Sequence, residues 1–345
     1  MQANYSKYSL KFKQPGGTSR GVLTEKLTWF LKITDQNGKF GIGECGMFKG
    51  LSYDDRPDYE STLAWVCENI DLGEDQLLNK LREFPSIQIG IETAFLSLQA
   101  NDRQQLFNTD FSNGKQGIPI NGLIWMGKPD FMHQQIDEKL EKGFSCLKLK
   151  IGAIDFDKEL EILNSIRKRY SQDELTIRVD ANGAFPPADA MNYLEQLAKL
   201  DLHSIEQPVK PEFTDDLAEL CKKTPLPIAL DESLIGITDV TKKQYLLQTI
   251  QPQFIILKPT LVGGFKGTDE WIEIAENLNI DWWITSALES NIGLNAIAQY
   301  TSTKMIDKPQ GLGTGSLFTN NIESPLEIKR EELWFNTDKN WDINL

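Results

Sequence analysis

From about residue 118 onward, short apolar runs alternate with amphipathic stretches of 10–16 residues, and that alternation limits the possible folds more than any other feature. The runs are 118–125, 145–151, 175–180, 203–206, 227–231, 254–258 and 282–286. Between them lie helical patterns. Residues 155–170 place Phe156, Leu160, Leu163 and Ile166 on one stripe, and 188–200 do the same with Met191, Leu194, Leu197 and Ala198. Seven such units in succession predict a parallel sheet, because each helical crossover must return the chain to the same end. An open doubly wound sheet and a closed barrel both satisfy the alternation.

The polar residues separate the two. Almost every run ends in a chemically capable side chain: Lys148 and Lys150, then Asp180, Glu206, Asp231 with Glu232, Lys258 and Ser286. A barrel gathers the C-terminal ends of its strands around one mouth, whereas an open sheet spreads them along a line. The expectation is therefore an α/β fold built on a modified TIM-type barrel. Its eighth strand is poorly marked, since 308–316 is glycine-rich and does not read as a strand.

The first 115 residues have a different grammar. Strands are expected at 5–13, 22–35 and 38–45, the last two joined by an Asp35-Gln36-Asn37-Gly38 turn, followed by helices at 58–70, 74–83 and 88–100. That order describes an α+β domain over 1–115, ahead of a barrel over 116–310. The aromatic tail, 311–345, is expected to pack back on the first domain.

Three carboxylates at the ends of consecutive strands repel one another in a partly desolvated mouth and call for a cation. An all-oxygen set at Asp180, Glu206 and Asp231 favours Mg²⁺, or Mn²⁺, over zinc. Lys148 and Lys150 share one face of their strand, and with Leu147 and Leu149 packed outward both lysines point into the barrel. Lys258, four strands on, lies across the mouth. A metal between such lysines suits removal of a proton next to a carboxylate, with a lysine of lowered pKa as base. Gly263 and Gly264 could offer backbone N–H groups to a substrate carboxylate at a helix N-terminus. His133 and His203, the two histidines, fall away from the mouth, so a histidine-based triad or zinc site is not expected. Gly311-Leu312-Gly313-Thr314-Gly315 lacks the context of a nucleotide loop and reads as a turn.

The formal charge of −14 argues against nucleic acid or an anionic membrane as partner, but leaves room for a small carboxylate in a local positive pocket. No basic leader precedes an apolar core, no run reaches the roughly 18 residues of a membrane span, and the four cysteines form no CxxC pair. A cytoplasmic protein with reduced thiols is expected. Oligomeric state is not legible.

The set Lys148-x-Lys150, Asp180, Glu206, Asp231 and Lys258 resembles the enolase superfamily in its muconate-lactonizing-enzyme-like subgroup. Gly43-Glu44-Cys45, Arg178-Val179-Asp180-Ala181-Asn182-Gly183, Glu206-Gln207-Pro208 and Asp231-Glu232-Ser233 stand where that family has them. The resemblance implies an N-terminal capping domain, a (β/α)₇β barrel and a tail returning to the cap. The seventh strand region, Ser286-Ala287-Leu288-Glu289-Ser290-Asn291-Ile292-Gly293, is similar to that of the o-succinylbenzoate synthases; dipeptide epimerases usually carry an Asp-x-Asp there.

The implied activity is a metal-dependent carbon–oxygen lyase of menaquinone biosynthesis, converting 2-succinyl-6-hydroxy-2,4-cyclohexadiene-1-carboxylate to 2-succinylbenzoate by syn elimination through an enediolate. Carried over, Asp180, Glu206 and Asp231 ligate Mg²⁺, Lys150 is base and then acid, and Lys148 sits beside the carboxylate. Lys258 stabilises the enediolate and the forming ring. Ser286, Gly263 and Gly264 receive the succinyl part, and cap loops near 14–20 and 46–53 close the site. An epimerase, racemase or cycloisomerase of the same superfamily shares the proton abstraction and stays open on residues alone. A Schiff-base aldolase using Lys258 would leave the three carboxylates unexplained, and a non-catalytic scaffold would need none of the set.

Overall fold

The computed structural model describes residues 1–18, 21–125, 127–304, 307–339 and 341, with the side chains of 16–18 left aside. The chain opens with an antiparallel three-stranded sheet, β1 (Gln2–Thr18), β2 (Gly21–Thr34) and β3 (Phe40–Cys45). Helices α1 (Tyr59–Glu68), α2 (Glu74–Lys80) and α3 (Pro85–Gln99) follow. The third helix begins three residues before the expected start at 88, with Pro85 in its first turn, where a missing N–H costs nothing. Helix α3 lies so close to β3 that a Cβ on Gly43 would stand 1.9 Å from the carbonyl oxygen of Gly90. Only glycine fits there.

The expected run 118–125 divides in two. β4 (Ile118–Pro119) pairs with β13 (Glu332–Phe335), which in turn pairs with β12 (Leu326–Lys329), while β5 (Gly122–Ile124) opens the barrel. The barrel strands continue as β6 (Cys146–Lys150), β7 (Thr176–Asp180), β8 (Ser204–Glu206), β9 (Ile228–Leu230), β10 (Phe254–Leu257) and β11 (Asp281–Ile284), all parallel and in chain order. Helices α4 (Pro129–Glu141), α5 (Phe156–Arg167), α6 (Pro187–Ala198), α7 (Thr214–Lys223) and α8 (Val240–Ile250) form the connections up to β10. After β10 come α9 (Pro259–Val262) and α10 (Gly264–Asn277), and α11 (Asn291–Ser302) follows β11.

The segment 308–316, which did not read as a strand, closes the ring with two residues. Gln310 bridges Ile120 and Gly311 bridges Thr285, both in parallel sense. Four backbone hydrogen bonds of 2.8–3.0 Å join this pair to Pro119, Asn121, Ile284 and Ser286. So short a strand needs no β-branched residues, only backbone, and is therefore invisible to a pattern of side chains.

Outward residues of the strands, among them Leu147, Leu149, Ile177, Val179, Ile205, Leu230, Ile255 and Leu257, pack into one core with the surrounding helices. Inward residues fill the lower barrel, where Arg178 lies 4.1 Å over the Trp283 ring and donates to the carbonyl of Pro309. The tail crosses to the first domain: Phe318 meets Phe12 at 4.8 Å, Asn320 accepts from Tyr8, and Trp341 packs with Phe30, Ile42 and Ile292. Positions 340 and 342–345 of that tail lie outside the described residues. The four cysteines are free thiols, and no helix among the described residues is long and apolar enough to cross a membrane.

Two buried carboxylates of the first domain fasten it to the barrel, each at a helix N-terminus where unpaired N–H groups and the helix dipole favour negative charge. Glu44 accepts from Thr28, from the backbone and hydroxyl of Ser290, and from the backbone of Gly293 at the start of α11, at 2.5–2.9 Å. Glu92 accepts from the backbone of Phe265 at 2.6 Å and of Lys266 at 2.9 Å at the start of α10. Burial pushes the Glu92 carboxyl up to about 8, against the opposing pull of those two N–H groups.

Two predictions follow from these fastenings. Glu44→Ala strands four buried donors and should lower unfolding free energy by about 3 kcal/mol or more, measured by chemical denaturation; a loss within experimental error would refute the fastening. Glu92 binds its proton more tightly folded than unfolded, so its contribution is complete below its ordinary value of 4.5 and drains as pH rises towards about 8. Replacing it with Gln should flatten the fall in stability between those limits, and equal slopes for the two proteins would remove Glu92 as the cause.

Candidate active site

Register brings the chemistry together. Lys150 pairs with Asp180 across β6 and β7, and Asp180 pairs with Glu206 across β7 and β8, so three successive strands set these residues side by side. Asp231 follows the last residue of β9 and Lys258 follows β10. In a ring of eight, β6 and β10 stand opposite one another, which places Lys150 and Lys258 on facing sides of the carboxylate row.

The carboxylates are almost sealed, Asp180 at 0%, Glu206 at 2% and Asp231 at 2% exposure. Each is met by an ammonium. Asp180 Oδ2 accepts from Lys150 at 2.6 Å and lies 2.9 Å from Lys148; Lys148 also pairs with Glu206, and Lys258 pairs with Asp231. Burial pushes the Asp180 carboxyl up, but the Lys148 and Lys150 ammoniums outweigh it and hold the group far below the usual range. Glu206 goes the other way, raised first by burial and then by the Asp180 charge. Burial opposes the charged forms of Lys148 and Lys258 as well, yet the surrounding carboxylates prevail and raise both. For these two lysines the direction is opposite to that wanted of a base, because carboxylates are their nearest charges.

Glu206 is the member least satisfied by protein. Its two oxygens receive no well-directed hydrogen bond; one touches Lys148 as an ion pair and the other lies 3.9 Å from Lys258. An all-oxygen donor set with such a member fits a hard divalent cation. Among the described residues no three carboxylate, histidine or cysteine side chains are already drawn together as a coordination group, consistent with each carboxylate being turned to a lysine.

Above the carboxylates lies a cavity of about 110 Å³. Lys148, Lys150, Lys258, Asn182 and Glu232 form its charged and polar floor. Leu123, Trp125, Leu288, Phe48 and Leu51 line it with apolar surface. Ser286 lines the wall and shares a 2.7 Å hydrogen bond with Thr314. Phe48 and Leu51 come from the loop 46–53, so that part of the first domain does reach the site. Of the other loop expected to close it, 14–20, positions 19 and 20 lie outside the described residues.

Gly263 and Gly264 do not join this cavity, which corrects the reading of them as substrate contacts. They face helix α3 instead: a Cβ on Gly264 would stand 2.0 Å from Glu92 Oε2, and the N–H groups beyond it are already taken by that carboxylate. An internal carboxyl group, that of Glu92, occupies the helix N-terminus that sequence offered to a substrate. His133 lies on α4; His203 stacks on Phe254 at 5.0 Å below the mouth, where burial pulls its imidazole down to about 4. Gly311 belongs to the closing seam, and both it and Gly313 line the cavity.

Sequence reasoning named Glu232 beside Asp231 without giving it a role, and passed over Asn182, Asn121, Trp125 and Thr314 as site residues. Asn182 had a signal, since it stands two residues past Asp180. The others are placed by loop geometry and by the closing seam.

This constellation on a closed barrel defines a class. The chain belongs to the enolase superfamily: the family described as Enolase C-terminal domain-like matches residues 132–330. It is 44% identical to the o-succinylbenzoate synthase of Desulfotalea psychrophila, covering 95% of this chain and 97% of that protein. The crystal structure of MenC from Desulfotalea psychrophila LSv54 superposes with a TM-score of 0.86 at 41% identity, covering 97% of this chain and 99% of the other. A dipeptide epimerase from Enterococcus faecalis V583, complexed with Mg and the dipeptide L-Leu-L-Tyr, has the same fold, with a TM-score of 0.83 at 20% identity over 96% and 95% of the two chains.

If Gly264 serves packing rather than substrate, Gly264→Ala should cost about 1–3 kcal/mol of stability through overpacking and its left-handed backbone, with KM close to the parent value. A raised KM at unchanged stability would return the residue to the substrate site.

Proposed function

We propose that the protein acts as an o-succinylbenzoate synthase, a hydro-lyase that turns 2-succinyl-6-hydroxy-2,4-cyclohexadiene-1-carboxylate into 2-succinylbenzoate. The observation that carries this reading is the pair of lysines facing one another across buried carboxylates, at the floor of a mainly apolar cavity. It stands in a chain 44% identical, over nearly its whole length, to a synthase of that name.

Asp180, Glu206 and Asp231 would hold Mg²⁺, with Mn²⁺ an alternative, and the ion would supply positive charge beside the substrate carboxylate as the α-proton leaves. Lys150 takes that proton as general base. Still carrying it, Lys150 delivers it to the hydroxyl on the same face, so that one C–H and one C–O bond break and water departs. Lys148 lies next to the carboxylate and limits repulsion between it and the buried acids. Lys258 faces the growing negative charge from the other side and presents a cation to the ring as it becomes aromatic. The Ser286 and Thr314 hydroxyls receive the succinyl oxygens, and Phe48, Leu51 and Trp125 exclude water.

An epimerase acting on dipeptides needs a carboxylate to meet the substrate ammonium beyond β11. The acid in that stretch, Glu289, is turned away: it is 1% exposed, accepts from Ala287 at 2.8 Å and pairs with Thr260. That favours the dehydration.

The test is loss of the diene absorbance of the cyclohexadiene substrate with Mg²⁺ and after excess EDTA. Rapid metal-dependent loss is expected, and Lys150→Ala should slow it at least about 10²-fold while Mg²⁺ still binds. No loss under either condition would end the synthase reading.

A further inference from the structure

We infer that Asn182 is a positioning residue that aims the lone pair of Lys150 into the cavity. The inference rests on Lys150 being the base of the proposed reaction. Lys150 Nζ donates to Asp180 Oδ2 at 2.6 Å and to Asn182 Oδ1 at 2.9 Å. On its far side Asn182 donates from Nδ2 to Glu232 Oε1 at 2.9 Å.

Chemistry fixes which way the amide points. A lysine ammonium has only donors, and the oxygen of the Glu232 carboxyl that meets Nδ2 must accept. The amide oxygen therefore faces the lysine and the amide nitrogen faces the acid; the reverse orientation would oppose donor to donor. Glu232, itself buried, holds the amide in place. The backbone adds a second restraint, because the N–H of Asn182 donates to Asp180 Oδ1 at 3.0 Å and its φ is +45°. Asparagine is one of the few side chains that adopt this left-handed backbone readily.

The consequence is directional. An amine that has given its third proton away keeps two N–H groups and one lone pair. With the two N–H groups held by Asp180 and Asn182, the lone pair takes the remaining tetrahedral direction. Lys150 lines the cavity, and the inference is that this remaining direction opens onto it, where a substrate proton would arrive. Asp180 is shared with Lys148 and with the proposed metal, which leaves Asn182 as the acceptor dedicated to this lysine. The proton balance is unchanged. Lys150 gains the α-proton while the C–H pair stays on the substrate, then returns the proton to the departing hydroxyl as water and ends neutral.

The test compares the parent protein with Asn182→Gly, which deletes the side chain yet suits φ +45°, and Asn182→Asp, which keeps an oxygen for the lysine. Each is assayed with the cyclohexadiene substrate and with the same compound deuterated α to the carboxylate; thermal melting and Mg²⁺ titration calorimetry check fold and metal site. For the glycine variant we expect kcat to fall roughly 10²-fold, KM to stay within about threefold, and the deuterium isotope effect on kcat to rise as proton transfer becomes limiting. Metal affinity stays near the parent value, and the aspartate variant recovers part of kcat. An unchanged kcat overturns the inference. So does a fall in kcat with no rise in isotope effect and no recovery by aspartate, which is the signature of a purely structural residue. Failure of the parent protein to consume the substrate overturns the dehydration reading instead, so the two failures are told apart.

Discussion

Charge balance in the barrel mouth is the constraint on which the site depends. Asp180, Glu206 and Asp231 are removed from water almost completely, and an unpaired ionised carboxylate in such surroundings is prohibitively unfavourable. Three lysines from β6 and the end of β10 meet them. Such a cluster is poor material for stability, since the desolvation of so many charges consumes most of what their attraction returns. It stores something else: a field ready to rearrange. A divalent cation entering among the carboxylates would share their charge with the lysines, while Lys150 keeps Asn182 as a second acceptor. The upward displacement of Lys148 and Lys258 belongs to the arrangement in which carboxylates are their nearest neighbours.

The barrel supplies the frame for that field, and the first domain supplies its roof. Both fastenings of the roof use the same physics, a buried carboxylate presented to a helix N-terminus. Glu44 reaches α11 and Glu92 reaches α10. These helices leave the barrel beside β10 and β11, whose ends carry Lys258 and Ser286. A shift of the first domain would therefore be felt at both of those residues, while Phe48 and Leu51 move with the domain itself.

Much of this could be read from residues alone, for a definite reason. Parallel barrel strands are buried on one face by helices and on the other by the barrel interior, so an ionisable side chain at a strand end stands out against apolar neighbours. Lys148, Lys150, Asp180, Glu206, Asp231 and Lys258 were legible in that way, and the structure brings all six together. What escaped depends on backbone or on distant partners. The closing pair Gln310 and Gly311 is held by main-chain hydrogen bonds and carries no strand-like side chains. Gly263 and Gly264 looked like an anion site because a helix N-terminus favours negative charge; its occupant, the Glu92 carboxyl, comes from 172 residues earlier than Gly264 (264 − 92) and no local pattern announces it. Asn182 and Glu232 acquire meaning only from being 2.9 Å apart.

The cavity walls set a further limit on what the site can select. On the proposed reading its charged floor meets a carboxylate with an acidic α-hydrogen, which many metabolites possess. Selection must come from above, where Leu123, Trp125, Phe48, Leu51 and Leu288 offer shape and Ser286, Thr314, Asn121 and Thr285 offer polar groups. Apolar contacts discriminate weakly, by about 1–3 kcal/mol for a methylene, whereas a missing partner for an ammonium discriminates strongly. With Glu289 turned into the protein, a substrate bearing a free ammonium near β11 would lose its hydration without gaining a carboxylate there. A neutral or acylated nitrogen would meet no such penalty. On the proposed reading, then, a cationic group beside β11 is disfavoured while neutral ones are tolerated there, a selectivity that would follow from which way one glutamate points.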